Sequence, residues 1–166
     1  MGRQFEIKLD DSEEIIANFK EEGFSMTGSI ELIANGCSLT DGPRDEFVAR
    51  LIIDLLESVP EILNRKPINI EFLEHPPDSI NIHDINDTAK INVISHKEGV
   101  SVNSAVSDEG KTIPTHDLII GIQDSGREFE SIIKQSNITK QQKTAERFRK
   151  SISICDKAIE KSPYAK

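Results

Sequence analysis

The chain has 166 residues, with 29 acidic against 20 basic side chains and a formal net charge of -9. That length carries one domain with a real core. The absence of an apolar run near 18 residues and of a charged-then-apolar N-terminus argues against a membrane span and a signal peptide, so a cytoplasmic protein is expected. Two cysteines, Cys37 and Cys155, are too few for a disulfide framework and read as reduced thiols.

In chain order, Phe5, Ile7 and Leu9 alternate with polar residues and predict a strand. Asp10-Asp11-Ser12-Glu13-Glu14 supplies a cap and early acids for a helix bearing Ile15, Ile16 and Phe19, with Gly23 as its stop. Residues 29–34 and 37–40 flank Asn35-Gly36, the pair that a two-residue hairpin turn favours. Asp41-Gly42-Pro43 reads as the opening of the next helix. Val48, Leu51, Leu55, Val59 and Ile62 give that helix one buried face, and Pro60 is expected to kink or end it.

Residues 67–105 carry four alternating apolar runs separated by turn signals, which predict an antiparallel β-meander. A loop at 76–78 would set Phe72 opposite Ile82. A turn at 86–87 would set Ile82 opposite Ile91, and one at 97–98 would set Val93 opposite Val102. All three pairings keep the apolar residues on one face. The other face then carries one row of Leu73, Asn81, Asn92 and Asn103 and a second of Glu71, His83, Lys90 and Ala105. Such a polar face is either solvated or meets a partner. Residues 104–115 read as turns.

Leu118, Ile122, Ser125, Phe129 and Ile132 then define a helix from Thr115, with Gly121 and Gly126 marking close packing or a bend. Ala145, Phe148, Ile152, Cys155 and Ile159 define a second one. Together they form a helical pair over 115–161. The expectation is a single α+β domain over 1–166. Strand-helix-hairpin-helix fills 1–66 and the meander 67–105. Helices cover one face of a mainly antiparallel sheet, and a two-helix segment ends the chain.

Charge is unevenly spread. Residues 134–166 hold nine basic and three acidic side chains, a net +6, while residues 1–133 hold eleven and twenty-six, a net -15. An acidic body repels nucleic acid and anionic membrane and attracts basic proteins. The basic face of the last helix (Lys143, Arg147, Lys150, Lys157, Lys161) is the only candidate for nucleic acid; docking on the acidic body or plain solvation is the simpler reading. Acids gather at Asp10, Asp11, Glu13 and Glu14, and again at Glu71, Glu74, Asp78, Asp84 and Asp87. With Asn81, His83 and Asn92, that second group forms the candidate partner-binding surface.

Catalytic and metal motifs are weak. Gly110-Lys111-Thr112 lacks the upstream glycine of a phosphate loop, since Ala105 stands there, and Ile113-Pro114 follows where a helix should begin. Residues 84–88 start like a calcium loop but lack its later glycine and acid. The four histidines show no metal-ligand spacing, and Cys155 lies on an apolar helix face. No cofactor, metal or catalytic residue is assigned.

Three features resemble immunity proteins of bacterial polymorphic toxin systems, such as contact-dependent growth inhibition. They are the opening from Phe5-Glu6-Ile7 to Asp11-Ser12-Glu13-Glu14-Ile15-Ile16, the hairpin from Ser29-Ile30-Glu31-Leu32-Ile33 to Asn35-Gly36, and the lack of a catalytic motif. The resemblance implies a cytosolic, non-enzymatic protein that binds and neutralises one cognate toxin, such as a nuclease. Two alternatives stand beside it: an adaptor or chaperone acting through the C-terminal helices, and a small hydrolase or transferase using His83 and Glu71.

Overall fold

A computed structural model describes residues 4–9, 12–40, 42–74, 78–85, 88–97, 100–103, 111–136 and 142–164. Strand β1 (Phe5–Leu9) buries Phe5 and Ile7 and exposes Glu6 and Lys8, as alternation requires. Helix α1 (Ser12–Glu22) buries Ile15 and Phe19 and carries Glu13 and Glu14 in its first turn, where the helix dipole favours them. A short 3-10 turn over Gly23–Ser25 leads into β2 (Thr27–Ala34). Asn35 and Gly36 both take positive φ, 52° and 77°, and return the chain as β3 (Cys37–Ser38).

Residues 44–47 depart from the expected helix. Arg44–Phe47 is a strand, β4, that pairs antiparallel with Thr27–Ile30 of β2. Proline at 43 tolerates a strand entrance as well as a helix entrance. The unpaired stretch of β2 beyond β3 decides between them. Helix α2 therefore runs Val48–Leu63. Pro60 does not end it: the helix continues to Leu63 and stops where Arg65 adopts a φ of 59°. Ten of its residues are buried, so α2 lies at the centre of the molecule.

The second sheet contains β5 (Ile68–Glu71), β6 (Ser79–Ile85), β7 (Thr88–Lys97) and β8 (Val100–Asn103) in consecutive antiparallel order, the expected meander. Only the β6–β7 register is as anticipated, with Ile82 opposite Ile91. Ile82 faces Ile68 rather than Phe72, a shift of four residues, and Val102 faces Ser95 rather than Val93, a shift of two. Both shifts are even, so every apolar residue stays on its expected face. Parity follows from alternation, whereas register depends on loop length, which the turn signals bracket only loosely. A fifth strand, β9 (Lys111–Pro114), pairs with Thr88–Ile91 of β7 where turns were expected.

Helices α3 (Thr115–Ser136) and α4 (Gln142–Glu160) complete an α+β fold. α2 and α3 contact strands of both sheets, and α4 packs on α2 and α3. The expected apolar faces of α3 and α4 are buried throughout. The interior is continuous from Phe5 and Phe19 through Phe129 to Phe148, with ring centroids 5.9 Å apart for Phe19–Phe129 and 5.1 Å for Phe129–Phe148.

A polar seam joins the two sheets. Arg44 of β4 forms an ion pair with Asp78, and its guanidinium lies 4.3 Å from the Phe72 ring centroid. Glu46, 1% exposed, accepts the Glu74 N–H at 2.9 Å and the Phe47 N–H at 3.1 Å. The Phe72 N–H donates to the Asp78 carbonyl at 2.8 Å, which fixes the start of β6 against the end of β5.

Candidate partner-binding surface

The outer face of the second sheet is built from the polar positions of each alternation. Its central row is Asn69, Asn81 and Asn92, three asparagines directly opposite one another on β5, β6 and β7. Leu73 stood in the expected row where Asn69 stands. On one side lies a row of Glu71, Ser79, Ile94 and Asn103, and on the other a row of His83, Lys90 and Thr112. Asn69, Glu71, His83 and Thr112 are exposed, and Asn81 is half-buried with its amide donating to the Ser79 hydroxyl at 3.2 Å.

The four-residue register shift takes Glu71 away from His83. Glu71 faces Ser79, and His83 lies four residues further along β6, roughly 13 Å at the usual strand rise. A carboxylate at that separation cannot orient the imidazole, so the expected Glu71–His83 pairing is lost, while His83 opposite Lys90 is as expected.

The other anticipated residues divide. Glu74 is exposed at the seam, its N–H held by Glu46. Asp78, expected on the outer surface, is 9% exposed and neutralised by Arg44, so it belongs to the structure of the seam. Asp84 lies on β6 and Asn92 on β7. Asp87 falls outside the described residues, as do His75 and the Gly110 part of the phosphate-loop echo.

Beside this face runs a groove of about 710 Å³ that the expected set did not include. Its floor is β5 with Leu73, and its wall is the polar stripe of α2: Asp54, Glu57, Ser58 and Glu61. Those four recur at three, one and three residues, one helical face. The sequence signal was therefore present, as a polar stripe on a helix otherwise read for its apolar residues. Leu73, 48% exposed, is the exposed large hydrophobic residue among those described.

The groove is acidic. Burial raises the Asp54 carboxyl pKa above its usual value, with neighbouring Arg50 opposing and Glu57 adding to the shift. Arg50 lies 3.6 Å from Asp54, and Arg147 of α4 donates to Glu57 at 2.7 Å. Among the described residues no ion pair holds Glu61 or Glu71.

Elsewhere, Cys155 is fully buried, and burial pushes its thiol up to about 12, which makes it a packing residue. Cys37 is half-buried and also free. Among the described residues no three His, Cys, Asp or Glu side chains converge as a metal site. No helix among them is long and apolar enough to cross a membrane. No protein-family model, curated protein or solved structure matches the chain.

Proposed function

We propose that the chain is an immunity-type binding protein that neutralises a cognate toxin domain by stoichiometric capture, with a basic toxin such as a nuclease as the fitting partner. The observation that carries this reading is the acidic groove between α2 and β5, where Glu61 and Glu71 have no ion pair among the described residues beside an exposed Leu73. Carboxylates around an apolar anchor match the anatomy of an electrostatically steered protein interface. Asn69 and Asn81 next to it offer donors and acceptors without charge. The resemblance of the opening segments to immunity proteins points the same way.

The adaptor alternative is less well supported. The apolar face of α4, which would have to hold a partner, is spent on α2 and α3. The test is rescue of growth when the chain is co-expressed with each toxin-like domain encoded beside its gene. Rescue with a 1:1 complex is expected, and neither rescue nor a complex with any such domain would overturn the reading.

A further inference from the structure

Among the described residues strand β5 ends its sheet, with β6 as its one neighbour. The Phe72 N–H donates to the Asp78 carbonyl, so the alternation of an antiparallel ladder turns the backbone groups of Ile68 and Ile70 toward β6 as well. The N–H and C=O groups of Asn69 and Glu71 therefore point outward. The edge of the first sheet is treated differently. There α3 closes on β1 so tightly that a side chain at Gly121 would come within 2.9 Å of the Phe5 carbonyl oxygen. The β5 edge instead opens into the acidic groove.

We propose that the β5 edge accepts an extended basic segment of the partner protein as an added strand, pairing with Asn69 and Glu71 and directing alternate Lys or Arg side chains at Asp54, Glu57 and Glu61 of α2. Strand addition supplies affinity through main-chain hydrogen bonds and specificity through alternate side chains. Residues of the added strand on the α2 side share the groove with Ile68 and Ile70, so their spacing of two carries the charge complementarity. Arg50 and Arg147 already lean on Asp54 and Glu57, which shows that guanidinium groups fit against this wall. A second copy of the chain is the wrong occupant: antiparallel pairing of two β5 edges would set Glu71 and the α2 acids of one copy against those of the other.

The proposal rests on the reading of the chain as a protein-binding inhibitor, and it is tested separately with a synthetic probe. The probe is a nine-residue peptide with lysine at alternate positions among threonine and valine, titrated into the full chain by calorimetry and followed by amide hydrogen exchange. Binding with slowed exchange at Asn69 and Glu71 is expected. N-methylation of the peptide amides that would face the edge, which keeps every charge, should weaken binding at least roughly tenfold. Glu61→Gln with Glu71→Gln should weaken it comparably without changing the fold. Equal affinity of the N-methylated peptide, unchanged exchange at Asn69 and Glu71, or a peptide-sensitive dimer of the chain would each overturn the strand addition. Absence of binding would show that the acids only guard a bare edge against aggregation. A toxin that binds while both amides exchange freely would leave the immunity reading standing and remove this one. A probe that pairs at the edge without any rescue of growth would do the reverse.

Discussion

A methyl group at Gly121 would meet Cδ1 of Phe5 at 2.7 Å and the Phe5 carbonyl oxygen at 2.9 Å, so backbone and a buried ring would both have to move. At Gly126 the obstacle is Cδ2 of Leu56, 2.8 Å away, the far end of a side chain that can turn. Alanine normally improves a helix by about 1 kcal/mol over glycine. We therefore expect Gly121→Ala to lose about 1–3 kcal/mol of stability in urea titration despite that gain, and Gly126→Ala to lose less. That both glycines mark close packing was legible in the sequence, because they interrupt a strong helical pattern; what they pack against was not, because it lies over a hundred residues away at Phe5 for one of them. Asp54 gives a pH-dependent counterpart. Its pKa is raised in the fold above 3.8, chiefly by burial, so ionising it costs folding stability, and that cost appears as pH rises from about 3.8 through the raised value. Asp54→Asn should flatten the stability profile in that window, measured by thermal melts from pH 3 to pH 7. A cationic partner favours the ionised form, so affinity should fall as pH drops through the same window.

At the scale of elements, the meander shows what alternation can and cannot specify. The faces of β5 to β7 follow from period two and are as expected, while two of three registers differ from expectation by even steps, which keep the core residues on their face. The register has a functional consequence, because it sets Glu71 opposite Ser79 and away from His83. β4 and β9 were not legible because each is four residues long and is specified by the vacant stretch of a neighbouring strand rather than by its own pattern. Glu46 illustrates this, a charged residue on β4 that is buried because it caps the Glu74 N–H at the seam. The seam should therefore dominate stability among polar contacts. Removing Asp78 leaves Arg44, its side chain 12% exposed, without its carboxylate, and Asp78→Ala should cost about 3 kcal/mol. Arg147→Ala, which breaks a more exposed pair with Glu57, should cost under about 1 kcal/mol. Chemical denaturation of the two variants side by side checks the ranking.

Across the whole molecule, the net charge of -9 resolves into an acidic body and a basic C-terminal segment that meets it. α4 lies on α2 with its apolar face buried, and Arg147 reaches across to Glu57 while Asp156 receives Arg127 of α3. Part of the basic face thus serves docking, and Lys143, Lys150, Lys157 and Lys161 remain exposed. Four acids of that body, Asp54, Glu57, Glu61 and Glu71, line the groove where α2 meets the β5 edge. The candidate surface was half legible. Glu71, Asn81 and Asn92 do share the polar sheet face, and Glu71 also lines the groove, but Asp54, Glu57 and Glu61 join it only because the loop 64–67 folds β5 back along α2. The most direct test of this account is growth of cells expressing each toxin-like domain found encoded beside the gene, together with either the native chain or a Glu61→Lys, Glu71→Lys variant held at equal folded level. Rescue by the native chain and loss of rescue by the variant are predicted; full rescue by the variant, or none by the native chain, would contradict it.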